Sequence, residues 1–164
     1  MTLGGVVLAG GRSSRMGTDK ALLDWHGVPL VVHVVEAVRA AVDGPVVVVG
    51  APGQDLPVPF VADPEPYGGP VVGLRVGLEA VGMRAFVCGT DQPDAHSIIP
   101  ELLQAREADV VAFEGEPLGA LYARAVAGHA RGGSLMRLLA SVDTEWLPGP
   151  RPELRSLNRP SDLQ

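Results

Sequence analysis

The sequence predicts an α/β domain in three layers, a mostly parallel sheet with helices on both faces. Short β-branched runs alternate along the chain with amphipathic stretches of helical length, the order that strand–helix–strand crossovers impose. With 164 residues, 46% of them apolar and only 20% charged, the chain can also bury a full core within the usual size of one domain, residues 1–164.

The elements follow in order. Residues 5–8 read as the first strand, and 29–42 as a helix with a proline in its first turn, where a missing N–H costs nothing. The all-valine run 46–49, entered through Gly44-Pro45, and residues 60–62 read as strands. Then come a helix over 70–81, a strand over 85–88, a helix over 97–106 and a strand over 109–113. Beyond these the pattern predicts a strand at 120–123, a helix at 134–141, a strand at 144–147 and a last helical turn at 160–163. The Pro/Gly-rich stretches 51–59 and 147–152 lie between elements and read as surface loops. In open α/β sheets ligands bind beyond the carboxyl ends of the strands, so a site is expected just after Leu8, Ala62 and Cys88.

Charge and composition exclude several classes. A net charge of -6 argues against a broad phosphate-backbone footprint, so no nucleic acid partner is expected. The longest apolar runs, such as 28–32 and 46–49, fall far short of the ~20 residues of a membrane span. The first strand arrives without a basic leader, and the single cysteine, Cys88, cannot form an internal disulfide. A cytoplasmic protein is expected.

The strongest local signal is residues 8–20, LAGGRSSRMGTDK, directly after the first strand. Gly10 and Gly11 carry no Cβ to obstruct backbone N–H groups from approaching phosphate oxygens. Arg12, Arg15 and Lys20 supply countercharge, and Lys20 is the chain's one lysine against twelve arginines. The run is not GxGxxG, because Gly10 and Gly11 are adjacent and no third glycine follows at the required offset. Nor is it a Walker A loop, since Gly17 is followed by Thr18-Asp19-Lys20-Ala21.

This run resembles the signature LAGGxSxRMGxDK of the molybdenum cofactor guanylyltransferase family at every fixed position. The resemblance continues through LLDWHGVPL (22–30), Gly-Gly-Pro at 68–70, Asp91-Gln92-Pro93, Glu-Pro-Leu-x-Ala-x-Tyr at 116–122 and Leu-Asn-x-Pro-x-Asp-Leu at 157–163. It implies a Rossmann-like fold of the nucleotidyltransferase type. It also implies transfer of GMP from GTP to Mo-molybdopterin with release of pyrophosphate, and Mg²⁺ as cofactor. The Gly-Gly of LAGG favours guanine, since cytidylyl-transferring relatives more often have LAAG.

By the same resemblance, Leu8, Ala9 and Gly10 contact base and ribose through their backbones, with Gly11 in the same nucleotide-binding loop. Arg15 and Lys20 fall on the triphosphate, Lys20 as the principal catalytic group, and Asp91 on the metal. Asp63 matches a nucleotide-contacting acid, although its Pro-rich surroundings also suit a plain turn. Asn158 matches the second Asn of Asn-x-Asn-Thr-Pro and is a second candidate metal ligand. Here Ser156 replaces the first Asn and Arg159 the Thr; Val49-Gly50-Ala51 lacks the family's Asn; and the stretch from Asp91 to Asn158, where the acceptor pocket is built, is short. Arg12 holds a variable position, open to a surface role or a phosphate contact.

Other residues read plainly. His26, His33, His96 and His129 lack zinc-ligand spacing, Cys88 reads as a small buried hydrophobe, Trp25 and Trp146 as packing residues, and Ser13-Ser14 forms no nucleophile elbow. Two other functions stay open: nucleotidyl transfer to another acceptor, by cytidylyl transfer to molybdopterin or onto a sugar phosphate, and a nucleotide-binding module with weak or no catalysis.

Overall fold

The computed structural model describes residues 2–9, 24–50, 58–62 and 69–157. Strands β1 (Gly4–Leu8), β4 (Val46–Val49), β5 (Phe60–Val61), β6 (Ala85–Gly89), β7 (Val110–Phe113), β8 (Glu116–Tyr122) and β9 (Thr144–Leu147) form one sheet. A short hairpin of β2 (Asp24–Trp25) and β3 (Val28–Pro29) stands apart from it. The helices are α1 (Leu30–Ala41), α2 (Pro70–Val81), α3 (Ile99–Gln104) and α4 (Leu135–Ser141). The sheet order is β5-β4-β1-β6-β8-β7-β9; β8 runs antiparallel to both its neighbours, and the remaining pairings are parallel.

Two-residue periodicity fills both faces of the sheet. Val7, Val46, Val48, Phe86 and Cys88 point to the side covered by α1 and α3, while Val6, Val47, Val49 and Val87 point to the side covered by α2 and α4. This is the expected three-layer arrangement. Each fully buried valine or leucine contributes roughly 1.5–3 kcal/mol. Helix α2 lies close against β1 because its contact face carries glycines. A methyl group on Gly77 would sit 2.4 Å from Val6 Cγ1, and one on Gly73 3.3 Å from Leu8 Cδ2.

Several boundaries differ from the sequence expectation, each for a local reason. Helix α2 fills the expected 70–81, whereas α1 begins one residue late because Pro29 serves as its N-cap. The stretch expected as one helix over 97–106 divides into a 3₁₀ turn, Ala95–Ile98, and α3, because Pro100 fits only in a first turn. Strand β8 starts at Glu116, well before the expected 120, and contains Gly119 at φ +87°, near a register shift between Val111 and Phe113. The β2–β3 hairpin was not anticipated; it turns on His26 (φ 52°) and Gly27 (φ 88°), the two left-handed positions of a tight two-residue turn. The last helical turn expected at 160–163 lies outside the described residues.

Candidate active site

Register brings the carboxyl ends of the parallel strands onto one row. Leu8 pairs with Val49 on one side and with Gly89 on the other, and Val49 pairs with Val61. Two bonds carry the ladder one residue further: Ala9 N–H donates to the Val49 carbonyl at 2.7 Å, and Thr90 N–H to the Leu8 carbonyl at 3.3 Å. Leu8 and Ala9, both half-buried, therefore stand beside the turn that follows β6.

Helix α2 presents its positive end to the same rim. It links β5 to β6 as a crossover, so its N-terminus faces the strand carboxyl ends, and Gly73 in its first turns lies against Leu8. Gly69 caps it at φ +90°, Pro70 opens it, and no acidic side chain occupies the first turn. The backbone N–H groups of that turn have no intrahelical partners, which suits an anion.

The turn after β6 holds Asp91. Gln92 N–H donates to the Gly89 carbonyl at 3.2 Å, and Gly89 N–H donates to Gln92 Oε1 at 3.0 Å. The half-buried Asp91 carboxylate folds back over Gly89, where a methyl group would lie 2.6 Å from Asp91 Oδ1. The Gln92 side chain, 3% exposed, donates to the carbonyls of Leu118 at 3.1 Å and Leu154 at 3.2 Å. Leu157 N–H donates to the Asp91 carbonyl at 2.8 Å, so the residue preceding Asn158 is fastened to Asp91.

Electrostatics agree with this placement. Burial pushes the Cys88 thiol far above its ordinary value, and the nearby Asp91 carboxylate pushes it the same way, so the thiol stays protonated and inert. His33 on α1 is lowered chiefly by burial and next by His96, against the raising influence of Asp94, with His26 also lowering it and the Pro93 backbone raising it. Three of the four histidines thus gather beside the Asp91 turn, a convergence their spacing in sequence did not reveal. Among the described residues, no group of three or more His, Cys, Asp and Glu side chains is placed to hold a metal. A carboxylate at a strand end suits a hard ion such as Mg²⁺, which takes one or two carboxylates together with substrate phosphates.

Of the site residues expected from sequence, Leu8, Ala9 and Asp91 come together at this rim. Gly10, Gly11, Arg12, Arg15, Lys20, Asp63 and Asn158 lie outside the described residues. Gln92 was missed, because a glutamine in a turn shows no local pattern and its partners are 26 and 62 residues away.

A mostly parallel sheet whose strand ends share one rim, with a helix N-terminus and a carboxylate beside it, is the arrangement of a doubly wound α/β domain that binds its ligand at the strand ends. The chain belongs to the MobA-like NTP transferase domain family, whose model matches residues 5–145. A Mycobacterium tuberculosis protein named as a probable molybdenum cofactor guanylyltransferase is 47% identical over 100 residues, 56% of this chain. In that match the chain spans about half of the relative, 49% of its length. A Mycobacterium avium protein of the same name is 34% identical over 191 residues, covering 100% of this chain and 94% of that one. The crystal structure of molybdopterin-guanine dinucleotide biosynthesis protein A from Archaeoglobus fulgidus superposes with a TM-score of 0.78 at 19% identity, covering 98% of this chain and 95% of that one. It shares the fold. No helix among the described residues is long and apolar enough to cross a membrane.

Proposed function

We propose that the chain is a nucleotidyltransferase that moves GMP from GTP onto the terminal phosphate of Mo-molybdopterin and releases pyrophosphate. The observation that carries this reading is the junction of Leu8 with Thr90, which sets the start of the LAGG run beside the Asp91 turn at one rim. The names of the two mycobacterial relatives support the choice of donor and acceptor.

In this reading the backbones of Leu8, Ala9, Gly10 and Gly11 hold the guanine nucleotide, with Asp63 contacting it. Lys20 and Arg15 neutralise the triphosphate and the charge that builds on the departing pyrophosphate. Asp91 would hold Mg²⁺, with Asn158 a candidate second ligand; the bound ion would supply charge neutralisation on phosphate oxygens. A phosphate oxygen of the acceptor forms a bond to the α-phosphorus as the bond from that phosphorus to the α–β bridging oxygen breaks. Alignment of the two substrates suffices, and no covalent enzyme intermediate is needed. The chain works as a single cytoplasmic domain, residues 1–164, without nucleic acid or membrane as partner.

Pyrophosphate release measured with GTP, Mg²⁺ and Mo-molybdopterin tests the reading, and release is expected with this set. Release with CTP or with a sugar phosphate instead would reassign donor or acceptor. The second reading, a nucleotide-binding module without catalysis, draws on Ser156 and Arg159 in place of the family's Asn and Thr. GTP binding with no turnover on any acceptor would favour it.

A further inference from the structure

We infer that Gln92 is the positioning residue for Asp91, fixing the carboxylate against β8 and against the C-terminal stretch that leads to Asn158. The inference rests on the proposed reading of Asp91 as the Mg²⁺ ligand.

The Gln92 side chain is buried, and its amide meets a complementary set of backbone groups. Its carbonyl oxygen accepts from Gly89 N–H at 3.0 Å, and its Nε2 donates to the carbonyls of Leu118 at 3.1 Å and Leu154 at 3.2 Å. Two amide hydrogens meet two acceptors, and one oxygen meets one donor. No other side chain of this length does the same. A methionine would leave three backbone groups, two of them buried, without these partners, and a glutamate would aim a carboxylate at two carbonyl oxygens.

The same frame closes on Asp91 from a second direction. Leu157 N–H donates to the Asp91 carbonyl at 2.8 Å, so consecutive residues 91 and 92 both grip the stretch 154–157. That stretch is seated in turn by Leu154, which occupies the space a side chain on Gly119 would fill, 2.3 Å from an ideal Cβ. Three segments far apart in sequence therefore meet around one amide. An apolar side chain would fill the space but leave those backbone groups unpaired; the satisfied polar network joins the three segments in a single fixed geometry. The residue that gains from that geometry is the neighbour, Asp91, whose carboxylate lies folded over Gly89.

The test is Mn²⁺ binding to the full chain in the presence of GTP, followed by electron paramagnetic resonance, with Mn²⁺ standing in for another hard, octahedral ion. The proteins are wild type, Asp91→Asn, Gln92→Met and Gln92→Glu, with GTP affinity in EDTA measured alongside. Both Gln92 variants are expected to fold, to bind metal-free GTP as wild type does, and to bind Mn²⁺ roughly 10–100-fold more weakly. A purely structural role would lower their melting temperatures and leave the Mn²⁺ affinity of the folded protein unchanged, and that result overturns the inference. Gln92→Glu keeps the side-chain volume and the bond to Gly89, so it carries the test where Gln92→Met is too unstable to isolate. If Asp91→Asn loses Mn²⁺ but the Gln92 variants keep it, only the positioning role falls. If Asp91→Asn binds Mn²⁺ like wild type, the reading of Asp91 falls and this inference falls with it.

Discussion

Gly89 shows how much one absent methyl group can decide at this rim. The Asp91 carboxylate occupies the space a side chain at residue 89 would need, 2.6 Å from the nearest carboxylate oxygen. In Gly89→Ala the flexible acid swings aside and the strand stays intact, so stability should remain within about 1 kcal/mol of wild type. Turnover should fall roughly 10–100-fold, because an ångström of misplacement at a reacting centre is that costly. Full activity in the folded variant would show that this carboxylate position is irrelevant. Lys20→Ala is the complementary probe, expected to lower turnover at least ~100-fold with the fold intact. Near-normal pyrophosphate release would remove Lys20 from the chemistry. Both Asp91 and Lys20 were legible as candidates because each sits in a sequence motif. Gln92 was not, since its function exists only once Leu118 and Leu154 have arrived from elsewhere in the chain.

Among the elements, α2 and β1 are the pair on which the rim is built, and their spacing is set by Gly77. The methyl of an alanine there would lie 2.4 Å from Val6 Cγ1, a fully buried side chain with no free direction to yield. Overpacking of this kind costs about 1–3 kcal/mol, which exceeds the roughly 0.5–1 kcal/mol that alanine gains over glycine in a helix. Gly77→Ala should therefore lose stability in urea denaturation. Gly73→Ala, whose methyl meets the half-buried Leu8 at 3.3 Å, should come out close to neutral. Equal losses in the two variants would mean that helix-to-strand distance is not controlled at residue 77. The helix itself was readable, since Pro70 opens it and Gly82 closes it in the left-handed conformation at φ 68°. The early half of β8 was not readable, because Pro117 and Gly119 both argue against a strand; pairing of Glu116 with Phe113 of β7 overrides them.

For the molecule as a whole, alternation of strand and helix announced the layers, yet nothing in the local pattern of residues 116–122 said that β8 would run against its neighbours. Strand direction there follows from a short β7–β8 turn at Glu114 and Gly115, where Gly115 takes φ +76°. What the whole domain should show is linkage between nucleotide and stability. A ligand that binds only the folded state adds RT ln(1 + [L]/Kd), about 2.7 kcal/mol at a concentration of 100 Kd. In a domain of this length each kcal/mol moves the melting temperature by about 2–4 °C. GTP with Mg²⁺ at that saturation is thus expected to raise the melting temperature by about 5–10 °C. CTP, ATP and UTP at equal concentration should give smaller shifts, and Asp91→Asn should lose the part that depends on Mg²⁺. Equal shifts for all four nucleotides would mean that the LAGG backbone reads triphosphate and not base. Absence of any shift at millimolar GTP would take the nucleotide away from this rim altogether.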